Sequence, residues 1–147
     1  MRISNYTDYG LRVLMYLSSL KSEDLSSISE VSKIYNLSQN HVTKVVNQLG
    51  RLGYIITIRG KGGGIKLAKA ANKIRIGQVI RELEKHCDGV DCDSSNCDLK
   101  PCCKLKIAIL NAMDSFFQTM DKYVISDFTE DNPYYINLST TWDKNNK

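Results

Sequence analysis

Ser29-Glu30-Val31-Ser32-Lys33-Ile34-Tyr35-Asn36-Leu37-Ser38-Gln39-Asn40-His41-Val42-Thr43-Lys44-Val45-Val46-Asn47-Gln48-Leu49 is the stretch that decides the fold. Its first part, Ser29 to Tyr35, predicts a short helix. Asn36-Leu37 makes a tight turn. Ser38 then caps a longer helix that runs to about Leu52, with Val42, Val45, Val46 and Leu49 at the spacing of one buried face. Two short helices joined by a turn of about three residues form a helix-turn-helix pattern. A plain helical hairpin would read the same way, so the residues that follow have to separate the two.

They favour a DNA reader. Gly53 ends the second helix. Tyr54-Ile55-Ile56-Thr57-Ile58 is β-branched and aromatic, Arg59-Gly60-Lys61-Gly62-Gly63-Gly64 is a turn, and Ile65-Lys66-Leu67 is a second short strand. A helix-turn-helix followed by a β-hairpin with a basic, glycine-rich tip is a winged helix. The glycines do not follow the order of a phosphate-binding loop, and no helix follows them directly. Positive φ at a hairpin tip accounts for them. The fold class is therefore mainly α with a small β-hairpin wing, completed by a long C-terminal helix.

Upstream, Thr7 reads as the N-cap of a helix to about Ser19, with Leu11, Leu14, Met15 and Leu17 at helical spacing. Lys21 to Ser27 reads as a polar loop. Downstream, Ile74 to Glu84 gives a further helix. From Lys104, the residues Leu105, Ile109, Met113, Phe116, Met120 and Tyr123 recur every three or four positions, which predicts an amphipathic helix of six turns. Ile107, Leu110, Ala112, Phe117 and Val124 widen its apolar face beyond what one small domain covers, so the helix is expected to pack on a partner subunit. The organisation is a winged helix-turn-helix over 1–84, a cysteine-rich loop over 85–103, a dimerisation helix over 104–126 and a polar tail over 127–147. That tail ends in Trp142-Asp143-Lys144-Asn145-Asn146-Lys147, where fraying is expected.

Charge is divided unevenly. Residues 1–86 carry 14 Lys/Arg against 6 Asp/Glu, and residues 87–147 carry 6 against 10. A basic front half is the electrostatic footprint of a nucleic-acid binder. The start of the longer helix supplies candidate base readers, Gln39, Asn40, His41 and Lys44. Arg59, Lys61 and Lys66 of the wing suit phosphate or minor-groove contacts. No run of about 18 apolar residues suggests a membrane span, and the N-terminus does not read as a signal peptide. A cytoplasmic protein is expected.

All 5 cysteines fall between Cys87 and Cys103. An odd, clustered set reads as metal-binding or redox-active rather than as a disulfide scaffold. Cys92, Cys97 and Cys103 are spaced C-x4-C-x5-C. Three thiolates need a fourth ligand from elsewhere, and a weak fourth ligand leaves a metal open to small molecules. Cys102 directly precedes Cys103. Adjacent cysteines do not both reach one metal comfortably, so either Cys102 or Cys103 would be the third ligand. Pro101 restricts the backbone ahead of both.

Several stretches together resemble the iron–sulfur winged-helix transcriptional repressors. They are Tyr6-Thr7-Asp8-Tyr9-Gly10-Leu11-Arg12, Ile28-Ser29-Glu30-Val31, Asn40-His41, Asn47-Gln48-Leu49, Ile58-Arg59-Gly60-Lys61-Gly62-Gly63-Gly64-Ile65 and the cysteine spacing. The likeness runs to about residue 138 and is strongest to the nitric-oxide-sensing branch. It implies a homodimer with one 4Fe–4S cluster per subunit, held by Cys92, Cys97 and Cys103 of one chain and Asp8 of the other. It also implies repression of nitric-oxide detoxification genes, with nitric oxide destroying the cluster and releasing a palindromic DNA operator. The iron–sulfur-assembly branch carries a histidine three residues after its third cysteine; Lys106 stands there, which argues against that branch. Cys87 has no counterpart in the pattern. Arg12, one helical turn after Asp8, is a possible partner of Asp8 or of the cluster.

Asp8 also has a simpler reading, since a carboxylate in the first turn of a helix is stabilised by the helix dipole alone. Other functions compete with the cluster reading. His86 or Cys87 could complete a zinc site, or the thiols could form an oxidant switch; both leave a regulator. An iron–sulfur oxidoreductase would need a substrate pocket, and no catalytic arrangement of side chains stands out, so an enzyme is not expected.

Overall fold

The computed structural model describes residues 2–94 and 96–138. In chain order its elements are α1 (Asn5–Ser19), α2 (Ile28–Ile34), α3 (Gln39–Arg51), β1 (Ile55–Ile58), β2 (Gly64–Leu67), α4 (Ile76–Leu83) and α5 (Lys104–Met120). Short 3-10 turns lie at Ala71–Lys73, Lys100–Cys102 and Ile125–Phe128, and residues 133–138 form a last helical stretch. The remainder of the polar tail, with Trp142, lies outside the described residues.

The helix-turn-helix forms as its sequence dictates. Ser27 caps α2, its hydroxyl accepting the Glu30 amide at 3.1 Å. Asn36 takes φ 51° in the turn, a left-handed conformation that asparagine tolerates, and Leu37 then donates to the Ser32 carbonyl at 2.8 Å. Ser38 is the N-cap of α3 by position, although its side chain makes no capping hydrogen bond. Val42, Val45, Val46 and Leu49 are all buried. They meet Val13, Leu14 and Leu17 of α1, Val31 of α2, and Val79, Ile80 and Leu83 of α4 in one core.

β1 and β2 pair antiparallel in the register Ile55↔Leu67 to Ile58↔Gly64. Gly60 and Gly62 take φ values of 100° and 78° at the tip, where other residues would be strained. The stretch read as loop before α2 contributes to the wing. Ser26 bridges Ile65 on the far side of β2, with N–H···O distances of 2.8 and 3.0 Å in the two directions. One residue of pairing leaves no periodicity to detect.

Three boundaries differ from the sequence reading. α1 starts earlier: Ser4, not Thr7, is its N-cap, and its hydroxyl accepts the Thr7 amide at 3.3 Å. Thr7 is buried inside the first turn. α4 is shorter than Ile74–Glu84, since Ile74 belongs to the segment preceding it. α5 ends at Met120, after 17 residues, rather than near residue 126. The chain there turns to pair with the entry to α4: Ile76 donates to the Tyr123 carbonyl and Ile125 to the Ile74 carbonyl, each at 3.0 Å. Ile74 and Ile125 become fully buried in that exchange. Burying two isoleucines beside a backbone pairing outweighs another helical turn. Residues beyond it are not merely polar tail, because Thr129 and Tyr135 are buried against the winged domain. Among the described residues, no helix is long and apolar enough to cross a membrane.

Candidate nucleic-acid interface and cysteine loop

Gln39, Asn40, His41 and Lys44 stand exposed on the first turns of α3, while the opposite face is buried. Their positions follow from period 3.6: apolar residues at 42, 45, 46 and 49 force residues 40, 41 and 44 outward. Arg59 and Lys61 are exposed at the wing tip. Lys66 is half-buried; its register partner is Ile56, so it lies on the wing face opposite the buried Ile65. Among the described residues no ion pair neutralises Lys44, Arg59, Lys61 or Lys66. Such an arrangement presents hydrogen-bonding side chains flanked by unpaired cations, which suits a polyanion with a readable groove.

Two tyrosines of α1 touch this face, and the sequence reading gave them no role. The Tyr6 hydroxyl donates to the Lys44 carbonyl at 3.3 Å. The Tyr9 ring lies 6.3 Å from the His41 ring, tilted by 35°. Their three-residue spacing puts both on one face of α1, and that spacing was the only signal available.

Asp8 lies between them in the first turn of α1. Its carboxylate takes a two-pronged contact from Arg12, Nε to Oδ1 at 3.0 Å and Nη2 to Oδ2 at 2.9 Å. The hydrogen bond to Asp8 raises the Arg12 pKa further above its already high ordinary value. The guanidinium also lies 5.9 Å from the centre of the Tyr35 ring. Tyr35 in turn donates to the Tyr135 hydroxyl at 3.2 Å, which ties the C-terminal segment to the helix-turn-helix.

The start of α1 is fastened to the root of the cysteine loop. Ser4 donates its amide to Glu84 at 2.6 Å, and Glu84 closes α4. Burial works against the charged Glu84 carboxylate, but the Ser4 hydrogen bonds prevail and hold its pKa below the ordinary value. Beyond it, Cys87 is half-buried against the core, and burial followed by the Glu84 charge raises its thiol pKa. Asp91 accepts the Asp93 and Ser94 amides at 3.1 Å each and the Ser94 hydroxyl at 2.6 Å, shaping the turn that carries Cys92. These bonds lower the Asp91 pKa. Cys97 is exposed; its carbonyl accepts the Lys100 amide at 3.1 Å.

The adjacent cysteines are treated differently. Cys102 is exposed in the 3-10 turn. Cys103 is half-buried and caps α5, its sulfur accepting the Lys106 amide at 3.4 Å. No disulfide joins the cysteines. Among the described residues, no three side chains of His, Cys, Asp or Glu converge closely enough to hold one metal ion. Cys92, Cys97 and Cys103 are therefore brought onto one loop but not onto one point. Among the described residues, His86 and Cys87 are not gathered with them either.

These features match known proteins. A model of the Rrf2 family, described as iron-dependent transcriptional regulators, fits residues 3–131. The fold superposes on CymR of B. subtilis, described as its global cysteine regulator, with a TM-score of 0.69 and 25% identity over 86% of this chain and 95% of that one. The oxidized form of CymR from Staphylococcus aureus gives a TM-score of 0.65 and 27% identity over 85% and 93% of the two chains. IscR of T. potens gives a TM-score of 0.69 over 86% and 85%, with 22% identity, a likeness that bears on the fold alone. With a winged helix throughout its first half and a family model spanning most of its length, the chain belongs to the Rrf2 family of transcriptional regulators.

Proposed function

We propose that the chain is a homodimeric DNA-binding repressor that senses nitric oxide through one 4Fe–4S cluster per subunit, an NsrR-like regulator of nitric-oxide detoxification genes. The ligands in this reading are Cys92, Cys97 and Cys103, with Asp8 of the partner subunit. The observation that carries it is the position of Cys103. Its sulfur lies at the N-terminus of α5 and accepts the Lys106 amide at 3.4 Å, so the helix fixes where this sulfur stands at the edge of the cysteine loop. Cys102 lacks that setting, which favours Cys103 as the third sulfur.

The donor set fits the group. Thiolates suit iron–sulfur iron, and a loop with little regular structure can bring three of them together. A carboxylate is a hard, labile fourth ligand. When bound, such a cluster supplies an iron atom that a diffusible gas can reach. The contacts between Arg12 and Asp8 support Arg12 as the group that orients this carboxylate. The dimer reading draws support from α5, whose Leu105 and Ile107 are 68% and 59% exposed. Two copies would set two α3 helices at half-sites of a palindromic operator about one DNA turn apart.

The test is native mass spectrometry of protein prepared without oxygen, before and after nitric oxide. Dimers carrying two 4Fe–4S masses that change on exposure would support the reading. Dimers whose mass nitric oxide leaves unaltered would remove it.

A thiol-based regulator is the second reading. It is favoured by the likeness to CymR, a cysteine regulator known in an oxidized form. Cys97 and Cys102 are the exposed thiols that would carry it. Colour separates the two, since an iron–sulfur protein is brown and a thiol or zinc protein is colourless.

A further inference from the structure

α1 and α3 meet through two matched pairs. Tyr6 and Tyr9 are three residues apart on α1; Lys44 and His41 are three residues apart on α3. Each pair shares one helix face. Tyr6 donates to the Lys44 carbonyl, whose second lone pair is open to a side-chain donor even inside a helix. Tyr9 and His41 sit at a separation and tilt typical of an aromatic contact. Both tyrosines also pack against the core, so neither can follow α3 without α1. Both their α3 partners project on the side of α3 that faces away from the core.

We infer that Tyr6 and Tyr9 are positioning residues for base recognition, fixing the angle at which the first turns of α3 meet DNA. The inference rests on the reading of this chain as a sequence-selective DNA binder and extends it to residues that touch no base. His41 then has a double role: it offers an exposed edge, and its ring takes its orientation from Tyr9. The alternative is that His41 and Lys44 read DNA independently and the tyrosines only fill space. Asp8 lies between the two tyrosines, and Glu84 holds the start of the same helix. A movement of the start of α1, where both attachments lie, would therefore be passed to His41 and Lys44.

A double-mutant cycle on the full-length protein distinguishes these cases. The preferred duplex is first selected from a randomised library. Affinities for it and for a single-mismatch duplex are then measured for wild type, Tyr9→Leu, Tyr9→Phe, His41→Ala and the double variant Tyr9→Leu/His41→Ala. Tyr9→Leu is expected to cut discrimination about threefold to tenfold. Tyr9→Phe, which keeps the ring, should restore it, and the double variant should be no worse than His41→Ala alone. Tyr6→Phe keeps the volume and fold and removes only the hydroxyl. It should cost about fivefold on the preferred duplex and leave the affinity for an unselected duplex unchanged; if Tyr9→Leu does not fold, this variant decides. Additive effects in the cycle, or unchanged discrimination in Tyr6→Phe, would overturn the inference and leave the DNA-binding reading intact. A wild type that selects no duplex at all would overturn both.

Discussion

Asp8 carries two explanations that differ in what its loss does. If it only complements the dipole of α1 and pairs with Arg12, Asp8→Ala costs about 0.3–1 kcal/mol of stability and nothing else. As a ligand to the partner's cluster, it also sets how firmly that cluster is held. The expected result is an anaerobic protein whose cluster absorbance forms less completely and decays faster in air, with an altered nitric-oxide response. Unchanged absorbance and response would leave Asp8 a helix residue. Glu84 offers a separate test, because its folded pKa is depressed. A depressed carboxyl stabilises the fold above its unfolded pKa, about 4.3, and loses that contribution as pH falls through the lower folded value. Glu84→Gln should therefore cost stability at pH 7, about 0.5–1 kcal/mol for one hydrogen bond to a partly exposed carboxylate, and the difference from wild type should shrink in denaturant melts as pH falls from about 4.3 toward the lower folded value. At this scale the sequence was legible for side chains whose surroundings are local. Gln39, Asn40, His41 and Lys44 are exposed because helix period alone decides it. Ser4 was missed as the cap because Thr7 is an equally good capping residue. What separates them is the attachment of the Ser4 amide to a residue 80 positions away.

Elements show where packing overrides pattern. The apolar spacing of α5 continues through Tyr123, but the helix stops at Met120. Asp121 explains part of the stop. Arg81 of α4 grips its carboxylate with two hydrogen bonds, at 2.8 and 2.7 Å, while stacking over Phe117 at 4.3 Å. Gly77 makes room for this clamp: a Cβ there would lie 2.2 Å from Asp121 Oδ1 and 2.9 Å from its backbone nitrogen. Backbone cannot yield as a side-chain tip can. Gly77→Ala is therefore expected to destabilise by about 1–3 kcal/mol despite the better helix propensity of alanine, read as a lower midpoint in urea. A more stable variant would mean that the α4–α5 contact is loose. None of this was readable beforehand, since a pairing between residues 74–76 and 123–125 leaves no local trace. The recognition helix and wing were readable, because their signals, a valine stripe and a glycine-rich basic turn, lie within a few residues.

Across the whole molecule, the two signs of charge are unevenly divided. The basic first half carries α3 and the wing, and the acidic second half carries the cysteine loop and α5. DNA contact through the wing should show as salt dependence. Arg59→Ala is expected to reduce the slope of log K against log salt by about 0.9, with little change in sequence preference; an unchanged slope would take Arg59 off the phosphates. The apolar surface predicts assembly. Leu105, Ile107 and Leu110 are exposed along α5, so Ile107→Glu should shift the protein from dimer to monomer in sedimentation while its thermal unfolding stays cooperative. A dimer that persists would place the contact elsewhere.

Support for α5 is concentrated at one end. Phe117 is buried, and Met113, Phe116 and Met120 lean on the core, while most of residues 104–112 stand clear of their own domain. The helix is a cantilever whose free end begins at Cys103. Under the proposed reading, a group held by the cysteine loop would act on the unsupported end, where a second copy would rest. Loop occupancy and subunit association would then be linked by mass action. Diluting the protein and stripping the loop would push the same equilibrium in the same direction, and the amount of protein present would become one of the inputs that sets how much DNA is held.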